Sequence, residues 1–135
     1  MIFMVIKMIN MAVKFYYTKP IFIFKGAFLR IDGSDEVSIP KQKYKMGKRM
    51  TLAAIWDEST NEIRFGYAIC HESDKFVKKI GQELALKSAK ENPIMIISQF
   101  SGCFKDYLNL VRHFGHMEER KFYNKYYGNL INGII

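Results

Sequence analysis

Cysteine is scarce here: the chain has two, Cys70 and Cys103. Two cysteines do not make a disulfide framework, and they suit a reducing compartment. No C-x-x-C pair exists, so the zinc-ribbon and thioredoxin-type motifs are excluded. Long apolar runs are missing too. The uncharged stretch around Pro93–Phe104 falls well short of the roughly 20 residues that span a bilayer. The opening MIFMVIKMIN is broken by Lys7 and lacks a basic leader and a small-residue cleavage site, so it does not read as a signal peptide. Met11 begins MAVKFYYTKP, which reads as a natural opening; if translation starts there, residues 1–10 are an upstream extension. The phosphate-cradling G-x-x-x-x-G-K-[ST], the dinucleotide G-x-G-x-x-G and the nucleophile elbow G-x-S-x-G are absent. So are internal repeats and low-complexity linkers.

What is there is ordinary for a folded protein. The chain has 135 residues, 49% hydrophobic and 25% charged, which excludes disorder and points to a single domain over residues 1–135. Net charge is +8 and the isoelectric point near 9.5. That balance favours anionic partners or plain solubility. Ile, Lys, Asn, Phe and Tyr dominate the composition, the bias of an AT-rich coding sequence, so part of the charge has a codon origin.

Hydrophobic periodicity predicts an α+β fold with a small antiparallel sheet. Residues 2–9, 12–17 and 21–31 read as extended structure, with Gly26 at a bulge or bend. Asp32-Gly33-Ser34-Asp35 is a turn signal, and the polar segment after Pro40 reads as a loop. The central β-hairpin covers about 50–71, turning at Glu58–Asn61. In its second arm Ile63, Phe65, Tyr67 and Ile69 share one face. Arg64, Gly66, Ala68 and Cys70 share the other, whose small residues predict a close-packed neighbour.

One strong helix is expected over about 74–90, capped by Ser73 with Asp74 in its first turn. Its apolar stripe is Phe76, Val77, Ile80 and Leu84. Gly81 is expected to lie against Gly66 and Ala68, and Asn92-Pro93 ends the helix. Residues 94–98, IMIIS, are apolar up to Ser98 and read as a buried strand. A second helix is expected over about 103–114, closed by Gly115, with one or two further turns in 117–127. The apolar tail GNLINGII is free to dock on the body or on a second copy.

Charge is segregated. Residues 1–31 hold no acid, 32–40 no base, 41–49 five bases and no acid, 50–74 five acids against Arg64, and 75–90 five lysines against Glu83. Lys41, Lys43, Lys45, Lys48 and Arg49 around Tyr44 suit phosphate contacts with a base stacked on the ring. Lys75, Lys78 and Lys79 add to the anion-attracting start of the helix. A solvated, lysine-rich loop and an ordinary solvent face are the plain alternatives. These nine residues are the candidate anion- or partner-binding set.

Catalysis and metal binding have weaker support. Cys103 with His113 is a conceivable nucleophile–base pair, and His113-x-x-His116 would share a face if the helix passed Gly115. Cys70 reads as a small hydrophobe. Asp57, Glu58, Glu62, Glu72 and Asp74 are explained by turns and caps. No catalytic residue, metal ligand or cofactor is assigned. The dense aromatics and the eight methionines fit core packing or a protein interface.

Residues 65–89 carry a distinctive pattern: Phe65-Gly66, Ala68, Cys70, Asp74, Phe76, Lys78, Lys79, Gly81 and Ala85. It resembles the F-G-x-A-x-C…D-x-F-x-K-K-x-G-x-x-x-A motif of small bacteriophage proteins. It departs at Lys87-Ser88, where a more arginine-rich stretch is expected. The resemblance implies a phage-encoded accessory protein in the host cytoplasm. Its first expected role is non-catalytic: binding and inhibiting a host protein or ribonucleoprotein, such as an antiviral defence complex. A nucleic-acid or nucleotide-phosphate binder is the second expectation, and a small metal-dependent hydrolase the third. No membrane partner is expected. A homo-oligomer through the apolar termini is open.

Overall fold

The computed structural model describes residues 11–24, 27–30, 45–71 and 75–134. Expectations for residues 1–10, Gly26, the 32–35 turn, Lys41, Lys43 and Tyr44 lie outside them. In chain order the elements are β1 (Met11–Tyr17), β2 (Ile21–Phe24), β3 (Ala27–Arg30), β4 (Lys45–Met46), β5 (Arg49–Asp57), β6 (Glu62–Cys70), α1 (Lys78–Glu91), β7 (Met95–Ile97) and α2 (Phe104–Ile134). One sheet is four-stranded, in the order β1-β5-β6-β7, and the other three-stranded, in the order β3-β2-β4. Every pairing is antiparallel. The fold is α+β.

The β5–β6 hairpin is the centre of the molecule, as its sequence predicts. Its turn closes on Asn61, which takes a positive φ of 55°, a conformation asparagine tolerates better than most residues. The Asp57 carboxylate accepts the Ser59 N–H at 3.0 Å inside the turn. Alternation along the strands then makes two unlike faces. Leu52, Ala54, Trp56, Ile63 and Phe65 pack on Tyr107, Val111 and Phe114 of α2 as the main core. The opposite face presents Thr51, Ala53 and Gly66 to α1. The four-stranded sheet is therefore sandwiched between two helices. A second core joins Ile21 and Met50 to Phe122, Tyr123 and Tyr127, further along α2.

The small-residue face has the neighbour its composition predicts. A Cβ on Gly66 would stand 2.1 Å from the Ala89 nitrogen and 2.6 Å from the Ala85 carbonyl oxygen. Gly81 has a different neighbour from the one expected: it lies against Thr51, 2.6 Å from its Oγ1. The helix also starts later than expected, at Lys78. Val77 before it is extended, with φ −117° and ψ 111° and no side-chain cap, and the first turn holds no acid. The expected Ser73 cap and Asp74 lie outside the described residues. Asn92 ends it as expected, its N–H donating to the Ser88 carbonyl at 2.8 Å.

The expected apolar stripe is reversed. Ala85 and Ala89 are the buried residues of α1, whereas Ile80 is 55% and Leu84 52% exposed. Backbone contact with Gly66 leaves no depth for a large side chain, so alanines turn inward and the larger residues are pushed to the flank. The run 94–98 also departs from expectation. β7 is a three-residue outermost strand, with Met95 and Ile96 each 44% exposed, because only β6 flanks it.

Gly115 does not end the second helix. α2 continues for 31 residues, about 46 Å at 1.5 Å per residue. Glycine costs a helix interior about 1 kcal/mol but does not break it. Here it makes room: a Cβ at 115 would lie 2.5 Å from Cγ of Tyr16. The segment after Pro40 is not all loop either. Lys45 and Met46 pair with Ile23 and Phe22, and Arg49 is the first residue of β5.

Candidate functional site

One cation from each of two basic clusters that lie apart in sequence is found beside the start of α1. Arg49 comes from the first and Lys78 from the second. The Arg49 guanidinium carbon stands 4.0 Å from the centre of the Phe76 ring. The Lys78 Nζ stands 4.7 Å from the centre of the Tyr17 ring. The two rings meet edge to face at 6.4 Å, and the Gln82 side-chain amide donates to the Tyr17 hydroxyl. Strand β1 supplies Tyr17 next to Thr51 of β5. The extended residues before α1 supply Phe76.

Arg49 is the constrained cation of this group. Its terminal nitrogen donates to the Thr18 carbonyl at 3.2 Å. Its Nε is buried and has no hydrogen-bond partner among the described residues. Burial pulls the guanidinium pKa below the usual arginine value, partly opposed by Tyr123 and Cys70, because desolvation disfavours the charged form. The charge is held by aromatic contact as much as by hydrogen bonds.

Beside this cluster runs a groove of about 200 Å³ between α1 and the ends of β5 and β6, with Ala68, Cys70, Ile80 and Leu84 in its walls. The Cys70 thiol donates within it to the His71 and Lys75 carbonyls, at 3.8 and 3.9 Å. Lys75 and Lys79 are exposed nearby. Lys48 parts from its neighbour Arg49. Its Nζ lies 5.0 Å from the Tyr126 ring centre, and its N–H donates to the Tyr127 hydroxyl. Lys125 flanks the same Tyr126 ring at 5.2 Å, beside a second hollow of about 320 Å³ that also takes in Tyr67, Lys121 and Phe122.

The expected nine-residue set is therefore divided. Arg49, Lys75, Lys78 and Lys79 gather around α1, and Lys48 belongs to the α2 side. Lys45 pairs in a strand, with its side chain outside the described residues. Sequence reasoning missed Tyr17 and Phe76 as cation platforms, because cation and ring come from different segments. It also missed Lys121, Lys125 and Tyr126, although Lys121 and Lys125 are four apart and share a helical face.

The conceivable catalytic pair is not assembled. Cys103 and His113 are ten residues apart on the α2 course, about 15 Å along its axis. The Cys103 thiol and N–H both donate to Asp106, at 3.2 and 2.9 Å. Asp106 thus caps the Cys103 N–H at the helix start, and these bonds hold the Asp106 carboxyl below its usual pKa. His116 Nδ1 lies 2.9 Å from the Tyr16 hydroxyl, which donates to Glu119 at 3.2 Å. His113 is exposed. Among the described residues no group of three His, Cys, Asp or Glu side chains is placed to hold a metal ion. No described helix is long and apolar enough to cross a membrane.

No known protein family matches the chain. No curated protein and no solved structure matches it either.

Proposed function

We propose that the chain is a non-catalytic binding protein that docks on a partner protein and acts by occupying its surface. One observation carries this reading. Ile80 and Leu84 are each more than half exposed on a helix whose inner face is already closed by Ala85 and Ala89. Burying an Ile or Leu side chain gains about 1.5–3 kcal/mol. A partner covering both recovers what the fold leaves unspent. Exposed Lys75 and Lys79 beside them give the docking face a basic rim, the usual arrangement of an interface. The inhibitor of a host factor implied by the resemblance to small phage proteins is a protein of this kind.

The test is affinity capture from bacterial lysate with the wild-type chain and with the double variant Ile80→Glu, Leu84→Glu. The expected result is a protein retained by the wild type and lost from the variant, with unchanged circular dichroism. Retention of nothing above background, or equal retention by both, overturns the reading.

A nucleic-acid role has one observation in its favour, the exposed lysine group at the start of α1. Against it, Arg49 and Lys78 already cover the faces of Phe76 and Tyr17, where a base would stack. Binding of a single-stranded oligonucleotide that falls steeply with salt and is lost on Lys78→Glu, Lys79→Glu would favour that role over protein docking.

A further inference from the structure

β6 is paired on its outer side for only part of its length. β7 meets Ile63, Arg64 and Phe65. Beyond Phe65 no strand lies there among the described residues. The direction of the backbone groups follows from antiparallel alternation. Met50 turns its N–H and its carbonyl to Thr18, on the β1 side. Thr51 and Ala53 therefore face β6, and their partners Ala68 and Gly66 face back. The odd-numbered residues of β6 point outward. Two bonds agree: the Phe65 carbonyl accepts the Ile94 N–H at 2.8 Å, and the Tyr67 N–H donates to Ser88 Oγ at 3.2 Å. The Tyr67 carbonyl and both backbone groups of Ile69 continue this outward row.

Natural sheets guard such an edge with lysine, proline or a bulge. Gly66-Tyr67-Ala68-Ile69-Cys70 has neither charge nor proline. The edge is also flanked by the two hollows already described. The α1 side offers Ile80 and Leu84. The α2 side offers Tyr67 and Phe122 with Lys121 and Lys125. Side chains of an added strand alternate between the two sides.

Charge decides between occupants. The α2 hollow contains Lys121 and Lys125 against Glu118, and Lys48 stands over the adjoining Tyr126 ring. A second copy would bring these lysines together on a chain of net charge +8, and like charges across an interface are costly. An acidic strand meets the opposite sign.

We propose that the edge of β6 at Tyr67–Ile69, where no described strand pairs with it, receives an extended acidic segment of the partner protein as an added strand. Its apolar side chains enter the α1 hollow, and its carboxylates face Lys121 and Lys125. This rests on the reading of the chain as a docking protein and names the chemistry of what it docks.

The probe is a short, end-blocked, fluorescein-labelled peptide of alternating valine and glutamate, followed by anisotropy. Saturable binding is expected, weakening as salt rises from about 50 to 200 mM. A valine–lysine peptide should not bind. Lys121→Glu with Lys125→Glu should weaken binding about tenfold or more, as reversal of two exposed ion pairs allows. Ile69→Pro should abolish binding by removing an outward N–H, at an edge where proline is tolerated. Amide exchange at Ile69 should slow on peptide addition. Equal binding of both peptides, no binding of the valine–glutamate peptide, or a dimer that itself protects that amide overturns the proposal. A wild-type chain that captures a partner through Ile80 and Leu84 but ignores the peptide overturns strand addition alone. A chain that captures nothing overturns the docking reading beneath it.

Discussion

Gly66 sets the distance between α1 and the sheet. The atoms a Cβ would strike are the backbone of Ala85 and Ala89, which no rotamer change can move. Gly66→Ala should therefore destabilise the fold by about 1–3 kcal/mol or more, read as a lower urea midpoint. Gly128 is the contrasting position, in α2 with nothing within 4 Å of its hypothetical Cβ. Gly128→Ala should stabilise by roughly 0.5–1 kcal/mol. Tyr107 is fully buried, and its hydroxyl donates to the Ala54 carbonyl at 2.7 Å. Burial raises its pKa above the usual value of 10. The unfolded chain ionises first, so this stabilisation is complete below about pH 10 and declines as pH rises through the folded-state value. Tyr107→Phe should flatten the alkaline limb of stability against pH, at a cost of about 1 kcal/mol at neutral pH. An unchanged limb would remove Tyr107 from that account.

At the level of the element, α1 has its large apolar residues outside and its small ones inside. Ile80→Lys and Leu84→Lys should each change stability by less than about 0.5 kcal/mol. Ala85→Leu and Ala89→Leu should each cost about 1–3 kcal/mol by overpacking. Denaturant midpoints of the four variants check this directly, and the reverse order would restore the stripe to the core. The helix itself was legible in its 3.6-residue periodicity. Which side faces inward was not, because Ile and Leu are ordinarily assigned to the core by size. The clue lay twelve residues or more upstream of Ile80, where Gly66 and Ala68 declare a shallow sheet face. Gly115 misled for a related reason. In sequence it reads as a helix stop, whereas in the structure it accommodates the Tyr16 ring, about a hundred residues distant. The run at 94–98 is apolar enough for a buried strand, and only its place beyond β6 leaves it exposed.

At the level of the whole molecule, α2 links two cores. Its first half packs on Leu52, Trp56 and Phe65. Further along, Phe122, Tyr123 and Tyr127 close over Ile21 and Met50. Because one helix serves both, the two cores should unfold together. Phe122→Ala in the second core should lower the urea midpoint reported by Trp56 fluorescence in the first, by the same amount as the midpoint from far-ultraviolet circular dichroism. Separate midpoints would mean independent units. The charge pattern also takes its form at this scale. Among the described residues the basic segments do not build one patch: Arg49 and Lys78 converge on Phe76 and Tyr17, while Lys48 joins Lys125 around Tyr126.

The sequence by itself determined the central hairpin, its two unlike faces, the presence of both helices and the closeness of packing over Gly66. These follow from local periodicity and side-chain size, which the chain encodes over a few residues. Only the tertiary structure decided that α1 turns Ile80 and Leu84 to solvent, that distant cations share one aromatic pair, and that among the described residues no strand pairs with β6 beyond Phe65. Those outcomes depend on how near two backbones can approach and on which strands are left without a neighbour. Both are properties of contacts between segments far apart in the chain.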